Sequence, residues 1–245
     1  MAAIGSRAWV AETNGALGFR DQVRFVAQAI LRELAPRRHR GDGAVLVVDR
    51  TPPATALAQQ VTEFARDALP APLLQHSVRS WLWACMLADL DQISYDDERL
   101  YVAALLHDVA LVDPHRPGPD AACFAVHGAQ VARGVVIAAG AGGAFADDVA
   151  AAIAAHFNVA VPLSWGAEAH LLHAGTHADV VGQRLLEMAP STVADVLAQA
   201  PRAGFADHFC ASMREEADLR RSSRAGLLWR LGMERAIRRA EERFG

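Results

Sequence analysis

Residues 98–111 read ERLYVAALLHDVAL. Nearly everything from Leu100 to Leu106 is apolar, and acidic residues Asp96 and Asp97 stand just before it. Acidic side chains favour the positive end of a helix dipole, so the spacing predicts a buried helix over 96–108. Its end carries His107 and Asp108 side by side. Burying an imidazole and a carboxylate without partners costs several kcal/mol. A divalent cation is a natural partner for both. Consecutive helical residues differ by about 100° around the axis, so both reach one ion only at a helix end or with the ion off the axis. Pro114 and the Pro-rich loop DPHRPGPD at 113–120 fit a helix end there.

Outward from this stretch the chain reads as helix after helix. Candidate helices cover 20–34, 54–68, 74–90, 121–139, 147–156, 168–186 and 191–200, with one or a pair over 207–245. PRRHRGDG at 36–43 reads as a polar loop, and 44–48 as a short extended piece. Thr51 or a neighbour is the expected cap before 54–68. No strand–helix alternation supports a parallel sheet. The expected fold class is all-α: a helical bundle over 54–210, a helical N-terminal extension over 1–53 and a C-terminal amphipathic helix over 211–245.

Composition bounds the function. The 245 residues are 52% apolar, with a formal net charge of −4. That is a poor basis for gripping nucleic acid, which needs a dense positive surface. Every cationic side chain other than histidine is Arg, because the chain has no Lys. Schiff-base and lysine-base chemistry are therefore excluded, and the P-loop motif cannot occur. Cys85, Cys123 and Cys210 form no CxxC pair or disulfide framework, so a reducing, cytoplasmic setting is the expectation. No apolar stretch reaches membrane-spanning length.

Ten histidines punctuate the sequence. His76 opens the helix before His107–Asp108, and Asp179 lies in a later one. Helices of a bundle can converge such residues on one interior point. The order His76, His107–Asp108, Asp179 would give four ligands from three helices.

This ordered set resembles the HD-domain superfamily of metal-dependent enzymes, and within it the cyanamide-hydratase-like branch. The resemblance rests on HSVRSW at 76–81, ERLYVAALLHDVAL at 98–111, FAVHGAQVA at 124–132, AAIAAH at 151–156, HAGTHADVVG at 173–182 and PRAGF at 201–205. It implies a metal site of His76, His107, Asp108 and Asp179, holding Zn²⁺ or alternatively iron or manganese. It implies that Arg79, one turn beyond His76, faces the same region; the plain alternative is a structural salt bridge. It also implies hydration of a small nitrile-type molecule, with Asp108, His127 or His156 moving the proton.

The chain departs from the branch at two places. FAVHGAQ places Ala125, His127 and Gln130 where acids are common, and His156-Phe157-Asn158 stands where an HxD triplet is usual. Two alternatives follow. One is phosphate-ester hydrolysis with Arg79 and Arg133 as phosphate partners. The other is a diiron oxygenase that takes His127 and His156 as additional ligands. His173 and His177 share a helix face and are read as supporting or packing residues, with zinc binding as the alternative. His39, His115, His170 and His208 carry no assigned role. The C-terminal RRSSRAGLLWRLGMERAIRRAEERFG is read as a capping helix or a homo-oligomer contact, its charge diluted by Glu234, Glu241 and Glu242. The expected partner is a small-molecule substrate, without nucleic acid or membrane.

Overall fold

A computed structural model of the chain describes residues 2–34 and 43–245. The loop expected at 36–43, including His39, lies almost wholly outside the described residues. Among those described the molecule is helical: α1 (Arg7–Thr13), α2 (Phe19–Leu34), α3 (Ala56–Ala68), α4 (Ala71–Asp91), α5 (Asp97–Leu106), α6 (Phe124–Ala138), α7 (Gly143–His156), α8 (Ala167–Val181), α9 (Pro190–Gln199), α10 (Phe205–Leu219), α11 (Arg224–Arg230) and α12 (Met233–Phe244). The segment after residue 43 is extended and makes a single parallel bridge, Ala44 to Met188.

The ends follow local chemistry. Thr55, not Thr51, caps α3 by accepting the amide N–H of Ala58. Asp96 caps α5 by accepting the amide N–H of Arg99. The short side-chain oxygens at these positions satisfy amides that have no partner within the helix. Helix α8 stops at Val181 rather than running to 186, because Gly182 takes a left-handed φ of 68°. The C-terminal stretch is three helices. Turns at Arg220–Ser223 and Gly232 divide it, and Ser223 caps α11. Helix α1 was invisible to periodicity because it spans only seven residues.

Helices α4 and α5 are the centre of the core. Residues 80–88 of α4 and 100–106 of α5 are buried without exception, so neither helix has a solvent stripe. A helix apolar all round is one enclosed by its neighbours. Helices α6, α7 and α8 pack around this pair. Helices α8 and α4 approach closely: a methyl group on Gly175 would stand 2.2 Å from the Ser80 carbonyl oxygen. Only a residue without a side chain permits that spacing. A second, small core joins the two ends of the chain, with Ile4, Trp9, Leu17 and Phe25 against Leu227 of α11. Among the described residues no helix is long and apolar enough to cross a membrane. All three cysteines are buried and unpaired.

Candidate metal centre

Helix α5 ends at Leu106, so His107 and Asp108 fall on the turn that leaves it, and both are 1% exposed. This removes the 100° problem: with the helix finished, both side chains point into one space. His76 reaches that space from the second turn of α4. His107 Nε2 lies 3.1 Å from His76 Nε2. Asp108 Oδ2 lies 3.3 Å from His107 Nε2 and 3.5 Å from His76 Nε2. These three residues form a group whose donor atoms converge closely enough for one ion.

The hydrogen-bond pattern fits a cation there. His107 donates its Nδ1–H to the Ala104 carbonyl at 2.7 Å. His76 donates its Nδ1–H to Asp179 Oδ2, also at 2.7 Å. With Nδ1 engaged in this way, each ring turns its Nε2 toward the centre, the atom through which a neutral imidazole binds metal. Both oxygens of Asp108 are buried and accept no hydrogen bond. A buried carboxylate with empty lone pairs is costly unless a positive charge faces it. Burial pushes the Asp108 carboxyl up, but the adjacent His107 imidazole outweighs this and holds it well below the usual range. Burial likewise works against protonation of His107, and Asp108 more than offsets it, leaving that imidazole raised. The donor set, two imidazoles and a carboxylate, suits zinc, iron or manganese.

Asp179 is placed differently from the expectation. It is fully enclosed, but it stands behind His76 and is not among the converging atoms. Its Oδ1 accepts from Arg79 Nε at 2.7 Å and Trp83 Nε1 at 3.0 Å, and its Oδ2 from Arg79 Nη2 at 2.9 Å as well as from His76. With its oxygens occupied by protein donors, Asp179 orients His76 in this arrangement and stands outside the converging set. Burial opposes its ionisation, and the Arg79 guanidinium beside it overrides that and lowers its pKa strongly.

Arg79 is also corrected. It is completely buried, and its remaining N–H groups go to the carbonyls of Ala200 and Pro201. It faces Asp179, not substrate space, so the salt-bridge alternative describes it, with Asp179 as the partner. Arg133, the other expected phosphate partner, is half-exposed and paired with Asp147 at 2.6 Å, away from the centre. His127 is half-buried on α6 and does not line the cavity that opens on the centre. On α6 it is Phe124 that reaches the site, edge-on to His156 with ring centroids 6.1 Å apart.

His156 does join the centre. It ends α7, is 2% exposed, and donates Nδ1–H to the Ile153 carbonyl at 2.6 Å. Its Nε2 lies 3.7 Å from Asp108 Oδ1. Burial lowers its pKa, partly offset by Asp108, so it rests neutral. Asn158, where an acid is usual, is a structural pin. It donates to the Ile4 carbonyl at 2.8 Å and accepts from Arg224 Nη1 at 2.7 Å. His173 donates to the backbone carbonyl of His156 at 3.0 Å, and His177 to that of His173. Burial, with each other's proximity, keeps His173 well below its usual pKa, and burial lowers His177 to about 4.

Several supporting residues had no spacing signal. Phe205 stacks on the His76 ring at 4.6 Å. Arg202 donates to the Asp179 carbonyl at 2.6 Å and to Glu241 of α12 at 3.0 Å. Both lie in the PRAGF segment, where only the motif hinted at importance.

A cavity of about 1290 Å³ leads from His76, His107, Asp108 and His156 to the surface. Phe157, Val180, Phe209 and Leu228 line its walls, and α2 and α12 contribute residues nearer solvent.

Residues 73–200 match the family model described as HD domain. The chain is also similar to two curated proteins of Saccharomyces cerevisiae, cyanamide hydratase DDI2 and cyanamide hydratase DDI3. Each is 35% identical over 109 residues, which cover 43% of this chain and 48% of the relative. The match thus spans about half the length of these relatives.

Proposed function

Because the chain belongs to the HD-domain family, we propose that it is a metal-dependent enzyme that adds water to a small polar molecule at the His76–His107–Asp108 centre, with a nitrile-type carbon as the point of attack. The observation that carries this reading is the convergence of the His76 and His107 Nε2 atoms on a buried carboxylate, Asp108, whose oxygens accept no hydrogen bond. The similarity to cyanamide hydratases supports the choice of a hydration over other reactions.

A divalent ion, when bound, supplies Lewis-acid activation of water and of a polar substrate. The protein's own groups do the rest. His76, His107 and Asp108 hold the ion. Asp179 fixes the tautomer and orientation of His76, and Arg79 and Trp83 fix Asp179. His156, neutral and with Nε2 facing Asp108, accepts a proton from attacking water and returns it to the substrate nitrogen. Phe124, Phe157 and Phe209 limit water around the reacting atoms.

The test is metal analysis joined to an assay. The purified chain is expected to hold about one divalent ion and to convert cyanamide to urea in a metal-dependent way. A fully metal-loaded chain that cleaves a phosphodiester and leaves cyanamide untouched would replace this reading with the phosphohydrolase one. The diiron reading loses support because His127, one of its two additional ligands, does not line the cavity that opens on the centre.

A further inference from the structure

We infer that α12 carries an anion-binding row, Arg235, Arg239 and Arg243, that holds a carboxylate or phosphate group of the substrate while its other end lies at the metal centre. The inference deepens the proposed function and rests on it for the identity of the reacting end.

Three observations carry it. First, the cavity is too large for the simplest substrate. Cyanamide has only a few heavy atoms, whereas about 1290 Å³ exceeds the roughly 300–1,000 Å³ of pockets that enclose drug-sized ligands. Second, the three arginines recur every fourth residue and all line this one cavity. At 1.5 Å rise per residue they form a row about 12 Å long on one face of α12. They are exposed, whereas the residues of the metal centre are 1–2% exposed, so the row marks the mouth and the centre marks the floor.

Third, no acid neutralises them, although Arg243 lies over the Phe244 ring at 5.3 Å. Among the described residues none of the three has an ion-pair partner. The acids nearby are mostly occupied: Glu234 pairs with Arg214 at 2.9 Å, and Glu241 with Arg202 at 2.9 Å. Asp91 and Glu187, also in the cavity wall, are both held by Arg184, at 2.6 and 2.8 Å. Glu242 alone among the acids of α12 shares the face with the row. Arginine forks suit carboxylate and phosphate oxygens, and in this lysine-free chain they are the available clamp. The helix is tied to the centre at two points. Arg202 bridges Glu241 to Asp179, and Phe244 covers Gly182 at the end of α8, where an added methyl would meet its ring at 2.6 Å.

The experiment uses the full chain, metal-loaded, with three ring-bearing probes: phenyl phosphate, benzoate and neutral benzyl alcohol. Calorimetric titration is run on the wild type and on the triple variant Arg235→Gln/Arg239→Gln/Arg243→Gln. At least one anion is expected to bind tenfold or more tightly than benzyl alcohol, and to weaken at least tenfold in the triple variant. Which anion binds identifies the group as phosphate or carboxylate. The corresponding triple Arg→Lys variant keeps the charge but not the fork, and should bind the anion more tightly than the Gln variant and more weakly than the wild type. Equal binding of benzyl alcohol, undiminished anion binding in the Gln variant, or no binding of any probe would overturn the inference. Metal content and circular dichroism are measured on the same samples. A wild type without metal whose anion binding still depends on the row would sink the proposed reaction alone. A metal-loaded, active wild type indifferent to the row would sink this inference alone.

Discussion

Asp179 holds His76 from behind: its Oδ2 accepts the His76 Nδ1–H at 2.7 Å, and on the opposite edge of the same ring Nε2 faces His107 at 3.1 Å. The carboxylate thus controls the ligand without belonging to the converging set. Asp179→Asn is expected to weaken metal affinity about 10–100-fold rather than abolish it, the usual cost of losing an outer partner. Competitive titration with a chromogenic chelator measures this. Complete loss of metal from a folded Asp179→Asn chain would instead make Asp179 a direct ligand.

Removal of a converging residue should be more severe. His107→Ala is expected to leave less than about one tenth of the wild-type metal content, because it deletes a ligand and exposes Asp108 to an unmatched burial. Elemental analysis after desalting reads the result. Unchanged metal in this variant would place the ion elsewhere.

Arg79 and Asp179 are both completely buried, so each depends on the other. Arg79→Met is expected to destabilise the fold by about 3–5 kcal/mol by stranding a buried carboxylate. The double variant Arg79→Met/Asp179→Leu should recover part of that loss, since it removes both charges. Urea unfolding gives both values. A loss under about 1 kcal/mol for Arg79→Met would mean that solvent reaches the pair.

His156 and His127 should separate sharply in kinetics. His156→Gln is expected to lower kcat on cyanamide about 10²–10⁴-fold while metal content stays near that of the wild type, as for a group that moves a proton. His127→Ala should stay within about twofold of the wild type, since it does not line the cavity. Metal loss in His156→Gln would reassign His156 as a ligand.

Acid sensitivity has a named source. His177 is held at about pH 4 by burial, against an ordinary value of 6.5. Above 6.5 it is neutral whether folded or unfolded and contributes no pH dependence. As pH falls from 6.5 to 4 the unfolded chain takes up the proton first, so stability declines across that window. The loss from His177 should be on the order of 2 kcal/mol, reduced from the full linkage value because the side chain is only partly enclosed. His177→Gln should flatten the decline in urea midpoints measured with excess chelator. An unchanged slope would assign the sensitivity to His173 or the carboxylates.

The sequence showed the helices and the convergence of His76, His107 and Asp108, because apolar period and ligand order are local signals. It did not show on which side of His76 Asp179 would stand. Position along a helix sets which face a residue occupies, but not which of two neighbours' atoms it meets across an interface. Arg79 illustrates the same limit: i and i+3 share a face, yet that face extends past the metal space to Pro201. His127 was misplaced because its segment resembles a site motif, while the local packing of α6 turns Phe124 and Gly128 inward instead. The arginine row of α12 was printed in the sequence as RAIRRAEER. Its meaning depended on α12 folding back over the mouth of a cavity, a tertiary fact with no local signature.

The hydrogen on Gly175 has an engineering consequence. Helices α4 and α8 approach through that residue, and they carry His76 and its Asp179 support. Their separation is therefore a property of the pair, and neither helix can be transplanted alone. A designer who grafts this centre onto another bundle should move 71–91 and 167–181 as one cassette with the glycine intact. An alanine there would wedge the two helices apart and lengthen the contact that aims the imidazole. In laboratory evolution, position 175 should then tolerate change only after substitutions around Ser80 and Ala84 have made room.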